Sequence, residues 1–369
     1  MAFATDSDPG PQQVDLLIHS AAELLTCQAD ARGARGPDHG VSAHGVGANG
    51  GVVAGGAVAV DAGVIVEIGG TADLRLRYRG RTEIDATGRL VSPGLVDTHT
   101  HLVHAGTRHE EWGRTVVGAG RTGLGAGIAY TRELTRAAGA DALRAGVLDR
   151  LDTMLAHGTT TVEAKSGYGT DPADDVRLLR VLAGVDHHVD LVTTYLGAHV
   201  APTAGERSEF VRAVIDQLDA VAEIADYCDV CCDPVGFTPD ECRQIGVAAL
   251  DRGLGVRVHA DQTGCWEGAE LAVELAAASA DHLECASDRA VEMLGRSTTA
   301  ATLLPGVTHH LMSMVAGPVD GTWHDAPHPD LGRRARQLVD AGALVVLASD
   351  YNPGSSPNLR SEERRVGKE

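Results

Sequence analysis

Two histidines separated by one residue close an apolar segment, VSPGLVDTHTH (91–101). Alternate side chains of an extended strand share a face, so His99 and His101 point the same way. Two imidazoles at that spacing can take adjacent positions on one metal ion, and Asp97, on the same face, is placed to orient one of the rings. Later apolar runs end in residues of matching chemistry: His259 in VRVHADQ, His282 in SADHLE and Asp350 in LASDYNPG. Taken alone, each has an ordinary reading, a satisfied core histidine or a helix N-cap. Their recurrence at the ends of separate apolar runs favours one centre. Three neutral imidazoles and a carboxylate suit a borderline divalent ion, Zn2+ or Fe2+, rather than calcium or magnesium.

Such residues need a scaffold that gathers them. From residue 93 the chain alternates apolar strand, polar loop and amphipathic helix. The strand candidates are 94–99, 159–164, 190–196, 226–232, 255–259, 279–283, 299–304 and 343–348, and helical periodicity marks 140–158 and 205–225. This pattern predicts an α/β protein with a (β/α)8 barrel over 93–358. A doubly wound open sheet fits the same alternation. The barrel is favoured because the reactive residues fall at the C-terminal ends of the strands, the edge where such barrels hold their sites. Residues 1–92 read as a small β-rich domain, with strands in VDLLIHSA, GAVAVDAG, VIVEIGG and TEIDATGRLV and a disordered Gly/His-rich insertion at 28–54. After NPGSSP, the charged stretch 359–369 reads as a tail outside any domain, on a barrel whose C-terminal part is missing.

Composition narrows the function classes. A formal charge of −20 opposes nucleic acid and anionic membrane surfaces as partners. No run of about 18 apolar residues is present to span a bilayer, and the N-terminus lacks the succession of a secretory signal. Seven scattered cysteines suit reduced thiols in the cytoplasm. Several motifs invite over-reading. GAGRTG (118–123) fits a dinucleotide fingerprint, but no strand leads into it. CDVCC (228–232) reads as apolar strand packing. Asp233 is the one obvious bridging ligand for a second metal, and without a lysine at that strand end one ion is the simpler expectation. Lys165 ends the second barrel strand with either a structural or a catalytic role. His309, His310, His324 and His328 fall in a stretch read as irregular and solvated.

VSPGLVDTHTHLVHAGTRHEE, GTTTVEAKSGYG, TYLGAHVAP, VHADQ, SADHLE, LLPG and ASDYNPGSSP together resemble the amidohydrolase superfamily and, within it, the imidazolonepropionases, over about residues 14–358. The HxH pair marks only the superfamily; KSGYG, the GAH triplet and NPGSSP are more specific. The resemblance implies metal ligands His99, His101, His259 and Asp350, with His282 as a catalytic histidine beside them. It implies substrate contacts from Arg108, Tyr168 and His199, and from a loop formed by Asn352, Gly354 and Ser355. Gln262 joins the catalytic group, but some family members carry glutamate there, and glutamine cannot act as a base; it is assigned to holding the ring. Arg121 stands where the family has a tyrosine. The implied reaction opens the cyclic amide 4-imidazolone-5-propanoate to N-formimino-L-glutamate in histidine degradation. The implied partners are a small-molecule substrate and a second copy in a homodimer. The competing readings are another mononuclear amidohydrolase (a cyclic-amide hydrolase or a nucleobase deaminase) and an inactive truncated fragment.

Overall fold

The computed structural model describes residues 10–27, 51–117, 127–202, 206–315 and 331–359. Most of the expected insertion, Arg121 with the GAGRTG segment, His324, His328 and nearly all of the charged tail lie outside the described residues. The chain divides into two compact units, Met1–Pro93 and Gly94–Glu369.

The first unit contains β1 (Gln12–Leu25), β2 (Val52–Asp61), β3 (Val64–Gly70), α1 (Thr71–Arg77), β4 (Tyr78–Asp85) and β5 (Leu90–Val91). The sheet order is β3-β2-β1-β4, with β5 also beside β1. Strands β1 and β2 pair antiparallel, and β4 lies parallel to β1. Every sequence-read strand of this unit is present, but α1 was not anticipated. It buries a single residue, Leu74, against Val14, Leu17, Ala57 and Ala59. One apolar anchor generates no 3.6-residue period to read.

The second unit runs β6 (Leu95–Thr100), α2 (His109–Val116), α3 (Ile128–Ala137), α4 (Ala140–Ala156), β7 (Thr159–Lys165), α5 (Pro172–Ala183), β8 (Asp190–Ala198), α6 (Arg207–Asp216), α7 (Leu218–Val221), β9 (Tyr227–Cys232), α8 (Pro239–Leu250), β10 (Gly255–Ala260), α9 (Gly268–Glu274), β11 (Ser279–His282), α10 (Asp288–Gly295), β12 (Ala300–Leu303), α11 (Pro305–Val315), α12 (Leu331–Ala341) and β13 (Leu344–Leu347). The eight strands β6 to β13 are all parallel and neighbour one another in chain order. The first and last edges also meet: Thr100 bridges Tyr351, and the His101 amide donates to the Tyr351 carbonyl at 2.8 Å. That closure decides for the barrel against the open sheet.

Helix starts are written in the sequence. Asp171 caps α5 through the Asp174 amide with Pro172 in the first turn, and Thr238 and Glu241 form a reciprocal capping box on α8. The strands show a two-residue alternation that places the site. Val162 and Ala164, Cys228, Val230 and Cys232, then Val256, Val258 and Ala260, pack into the apolar layer shared with the helices. The intervening residues, Glu163 and Lys165, Asp229, Arg257 and His259, are polar. Lys165 on β7 reaches Asp229 on β9 and Asp281 on β11, strands that are not neighbours in the sheet, so these side chains meet across the barrel axis.

Candidate active site

The inward parity of β6 continues through Asp97, His99 and His101. Asp97 accepts the Ser349 amide at 3.0 Å, tying β6 to the end of β13. Asp281 on β11 meets His99, its Oδ2 2.7 Å from Nδ1. Asp229 Oδ2 stands 3.0 Å from His259 Nδ1 in the same relation. In both histidines this turns Nε2 towards a shared point. Asp350 Oδ1 lies 3.3 Å from His101 Nε2 and 3.6 Å from His99 Nε2. The ring centres of His99 and His259 are 4.5 Å apart.

Candidate ligand atoms fall within 4.8 Å of one another in three overlapping groups: His99, His101 and Asp350; His99, His259 and His282; His101, His199 and His259. The four expected ligands therefore belong to one cluster, which also takes in His199 and His282. Among its buried atoms without a hydrogen-bond partner are Nε2 of His99, Nε2 of His259 and Asp350 Oδ1. Lone pairs left bare in a dry interior are costly unless something accepts them. Imidazole nitrogens plus a carboxylate oxygen fit a zinc-like or ferrous ion.

The electrostatics keep most rings in the ligating, neutral form. Burial pushes His99 and His101 well below the usual histidine range, with added repulsion from Lys165 at His99 and from His259 at His101. Burial and neighbouring imidazoles bring His199 and His282 down to about 3. At His259 burial also opposes the charge, but Asp229 outweighs it and the value rises. Burial raises Asp350 against the pull of His282 and His259. Two of these groups also stand on left-handed backbone, Asp350 at φ 46° and His282 at φ 81°. Such conformations cost energy in non-glycine residues and collect at functional sites.

Above the cluster opens a cavity of about 220 Å3. All the sequence-predicted site residues line it except His99, which lies wholly buried below. Tyr168 and His199 form one wall; His199 Nδ1 donates to the Gly167 carbonyl at 2.8 Å, where φ of +81° suits glycine. Asn352 holds the opposite loop in shape, its Oδ1 accepting the amides of Gly354 at 2.9 Å and Ser355 at 2.7 Å while its Nδ2 donates to the Asp350 carbonyl. Arg108 lies against Gly354 and pairs side-on with Glu111, Nε to Oε2 at 2.9 Å and Nη2 to Oε1 at 2.6 Å.

Two sequence readings need correction. His310 is neither solvated nor in an irregular stretch. It sits on α11, is buried, stacks on Trp112 and lines the cavity. His309 is on the same helix and is exposed. CDVCC is not wholly apolar packing, because Asp229 within it turns inward to His259. Asp233 lies outside the three candidate ligand groups and is engaged locally, accepting the amides of Val235 and Thr263 and the Thr263 hydroxyl. Glu111, Asp229 and Asp281 were not singled out at all. For Asp229 and Asp281 the available signal was a charged residue in an otherwise apolar strand.

No protein-family model matches the chain. Among curated proteins, the imidazolonepropionase of Brevibacillus brevis is 40% identical over 314 residues, covering 81% of this chain and 70% of that protein. The imidazolonepropionase of Bacillus cytotoxicus is 37% identical over 353 residues, covering 93% and 78%. That of Geobacillus kaustophilus is 39% identical over 81% of this chain and 70% of its own. Solved structures of similar fold include an amidohydrolase (TM-score 0.59, 18% identity, 91% of this chain and 78% of that one) and a zinc-bound adenosine deaminase from Xanthomonas campestris (TM-score 0.51, 17% identity, 95% and 72%). At that identity they speak for the fold alone.

Proposed function

This chain belongs to the imidazolonepropionase family, and we propose on that footing that it hydrolyses 4-imidazolone-5-propanoate to N-formimino-L-glutamate in histidine degradation. The observation that carries the reading is the meeting, in one cavity, of a metal-type donor set with a guanidinium. The substrate has both matching features, a poorly electrophilic ring amide and a carboxylate arm.

We assign His99, His101, His259 and Asp350 as the residues that would hold one divalent ion, Zn2+ or Fe2+. When bound, such an ion makes water nucleophilic near neutral pH and polarises the amide carbonyl. The chain's own groups do the rest. Asp350 Oδ1, buried and unpartnered, takes the proton of the attacking water and returns it to the ring nitrogen as the C–N bond breaks. His282, held neutral, keeps one N–H to donate to the carbonyl oxygen as negative charge grows there. Arg108 offers the propanoate a planar, two-pronged partner. Tyr168, His199 and Gln262 hold the ring, and the Asn352–Ser355 loop closes around the arm.

The free state of all seven cysteines supports a reducing, cytoplasmic setting. Among the described residues no helix is long and apolar enough to cross a membrane. A homodimer is the proposed assembly, readable by sedimentation. The test of function is direct: purified, zinc- or iron-loaded protein is mixed with freshly prepared imidazolonepropanoate, and its ultraviolet band should vanish enzymatically. Loss no faster than spontaneous decay counts against the proposal, and metal analysis of active protein identifies the ion.

A further inference from the structure

Below the histidine cluster the barrel axis holds charges that the proposed reaction does not use. Lys165 is fully buried, and its Nζ stands 2.7 Å from Asp229 Oδ2, 2.8 Å from Glu163 Oε1 and 3.8 Å from Asp281 Oδ2. Two of these carboxylates continue upward. Asp229 meets His259 Nδ1 at 3.0 Å and Asp281 meets His99 Nδ1 at 2.7 Å. On the far side Arg257 approaches Glu163 at 3.9 Å, anchored by its own hydrogen bond to Ser279 and by the Tyr227 ring.

We propose that Lys165 is a positioning residue: by bridging Asp229 and Asp281 it aims the Nε2 atoms of His259 and His99 at one point and so sets the affinity of the site for a divalent cation. A carboxylate on Nδ1 requires the hydrogen there, which leaves the lone pair on Nε2 for a ligand. Two carboxylates in a water-free interior repel strongly unless a cation stands between them. The ammonium stands against Asp229 and within ion-pair distance of Asp281, so its charge acts on both carboxylates at once. Without it they are pushed apart, and each swings the imidazole it holds. Arg257 cannot substitute, since among the described residues the carboxylate within ion-pair distance of it is Glu163, not Asp229 or Asp281. Lys165 touches neither a ligand nor the cavity, so its effect runs through Asp229 and Asp281.

This inference rests on the metal reading above, and its test separates the two. Zinc affinity is measured by chelator competition for the parent and for Lys165→Met. In parallel, 15N imidazole shifts of the metal-free proteins report which nitrogen of His99 and His259 carries the hydrogen. The expected result is a folded variant binding zinc about 10–100-fold more weakly, with both histidines moving from a single Nδ1–H tautomer to a mixture. Zinc affinity within threefold of the parent and unchanged tautomers would overturn the proposal. If Lys165→Met shows no cooperative melt, Asp229→Asn decides: weaker zinc binding with a tautomer change confined to His259 supports the relay, and parent-like values refute it. A parent that binds no zinc defeats the metal reading, whereas the tautomer shifts still judge Lys165 on their own.

Discussion

Arg108→Met tests whether the guanidinium is what chooses the substrate. Arg108 and Glu111 side chains are only 11% and 9% exposed, so their ion pair is largely removed from solvent. Taking one partner from such a desolvated pair costs about 2–5 kcal/mol. If the propanoate is the other claimant on Arg108, kcat/KM should fall by about 30-fold to a few thousand-fold. Part of the damage is structural, because Glu111 is left buried without its cation, a penalty of about 1–3 kcal/mol that appears as a lower Tm. Adding Glu111→Gln should recover much of that Tm and none of the kcat/KM. The assay follows loss of the imidazolone absorbance, with the natural substrate and with an imidazolone bearing an ethyl arm. On the ethyl compound, parent and Arg108→Met should be nearly equal. The reasoning is refuted if Arg108→Met keeps kcat/KM within threefold on the natural substrate, or if it loses as much on the ethyl analogue.

Three further outcomes follow from the same geometry. In Gly354→Ala the new Cβ would stand 2.2 Å from Arg108 Nη1 and 2.7 Å from its Cζ, so the guanidinium must move; KM should rise about tenfold or more with little change in Tm, and an unchanged KM would detach Arg108 from the arm. The Arg207 hydrogen bond lowers Glu241 from the ordinary value to about 2, with help from Thr238 and against burial. A depressed carboxylate stabilises the fold above pH 4.5 and ceases to as pH falls through 2. The pair is partly exposed, its side chains 25% and 18% accessible, so screening leaves about 1 kcal/mol; Glu241→Gln should lower Tm at pH 7, and the gap to the parent should narrow between pH 4.5 and 2. Removing metal with a chelator should lower Tm by several degrees, reversibly on adding zinc, since an ion at a hundred times its Kd contributes about 2.7 kcal/mol; a Tm indifferent to both reagents would argue against a specific site.

The barrel was legible because each strand is a short apolar run ended by polar residues, and the closing strand β13 (Leu344–Leu347) lies within one residue of the segment read from sequence. The candidate site was legible where side chains sit at strand ends, as His99, His259 and Asp350 do. Two kinds of feature stayed hidden. Helix α1 buries Leu74 alone, and one apolar anchor leaves no period to read. Asp229, Asp281 and Lys165 act between strands far apart in the chain, and a linear pattern carries no distance between them. Their parity with the HxH pair was visible, but only closure of the sheet says that inward-facing residues meet. His310 escaped for the opposite reason: its helix, α11, is apolar nearly throughout, so the surrounding Gly, Pro and His residues pointed to a loop.

The buried charges bear on how many cations the proposed site would hold. Across the axis and the cluster, four carboxylates (Glu163, Asp229, Asp281 and Asp350) face two fixed cations (Lys165 and Arg257), all deeply enclosed. Counting these six groups alone, with the carboxylates ionised, two formal negative charges remain, the charge of one divalent ion. A second would leave the interior two units positive, in a medium where uncompensated charge is severely penalised. Asp233, the carboxylate that could have bridged a pair of ions, is already occupied by Val235 and Thr263. Lys165 supplies positive charge where a more metal-rich centre would need donors. The ammonium proposed to order the ligands would therefore also limit how many ions they can serve.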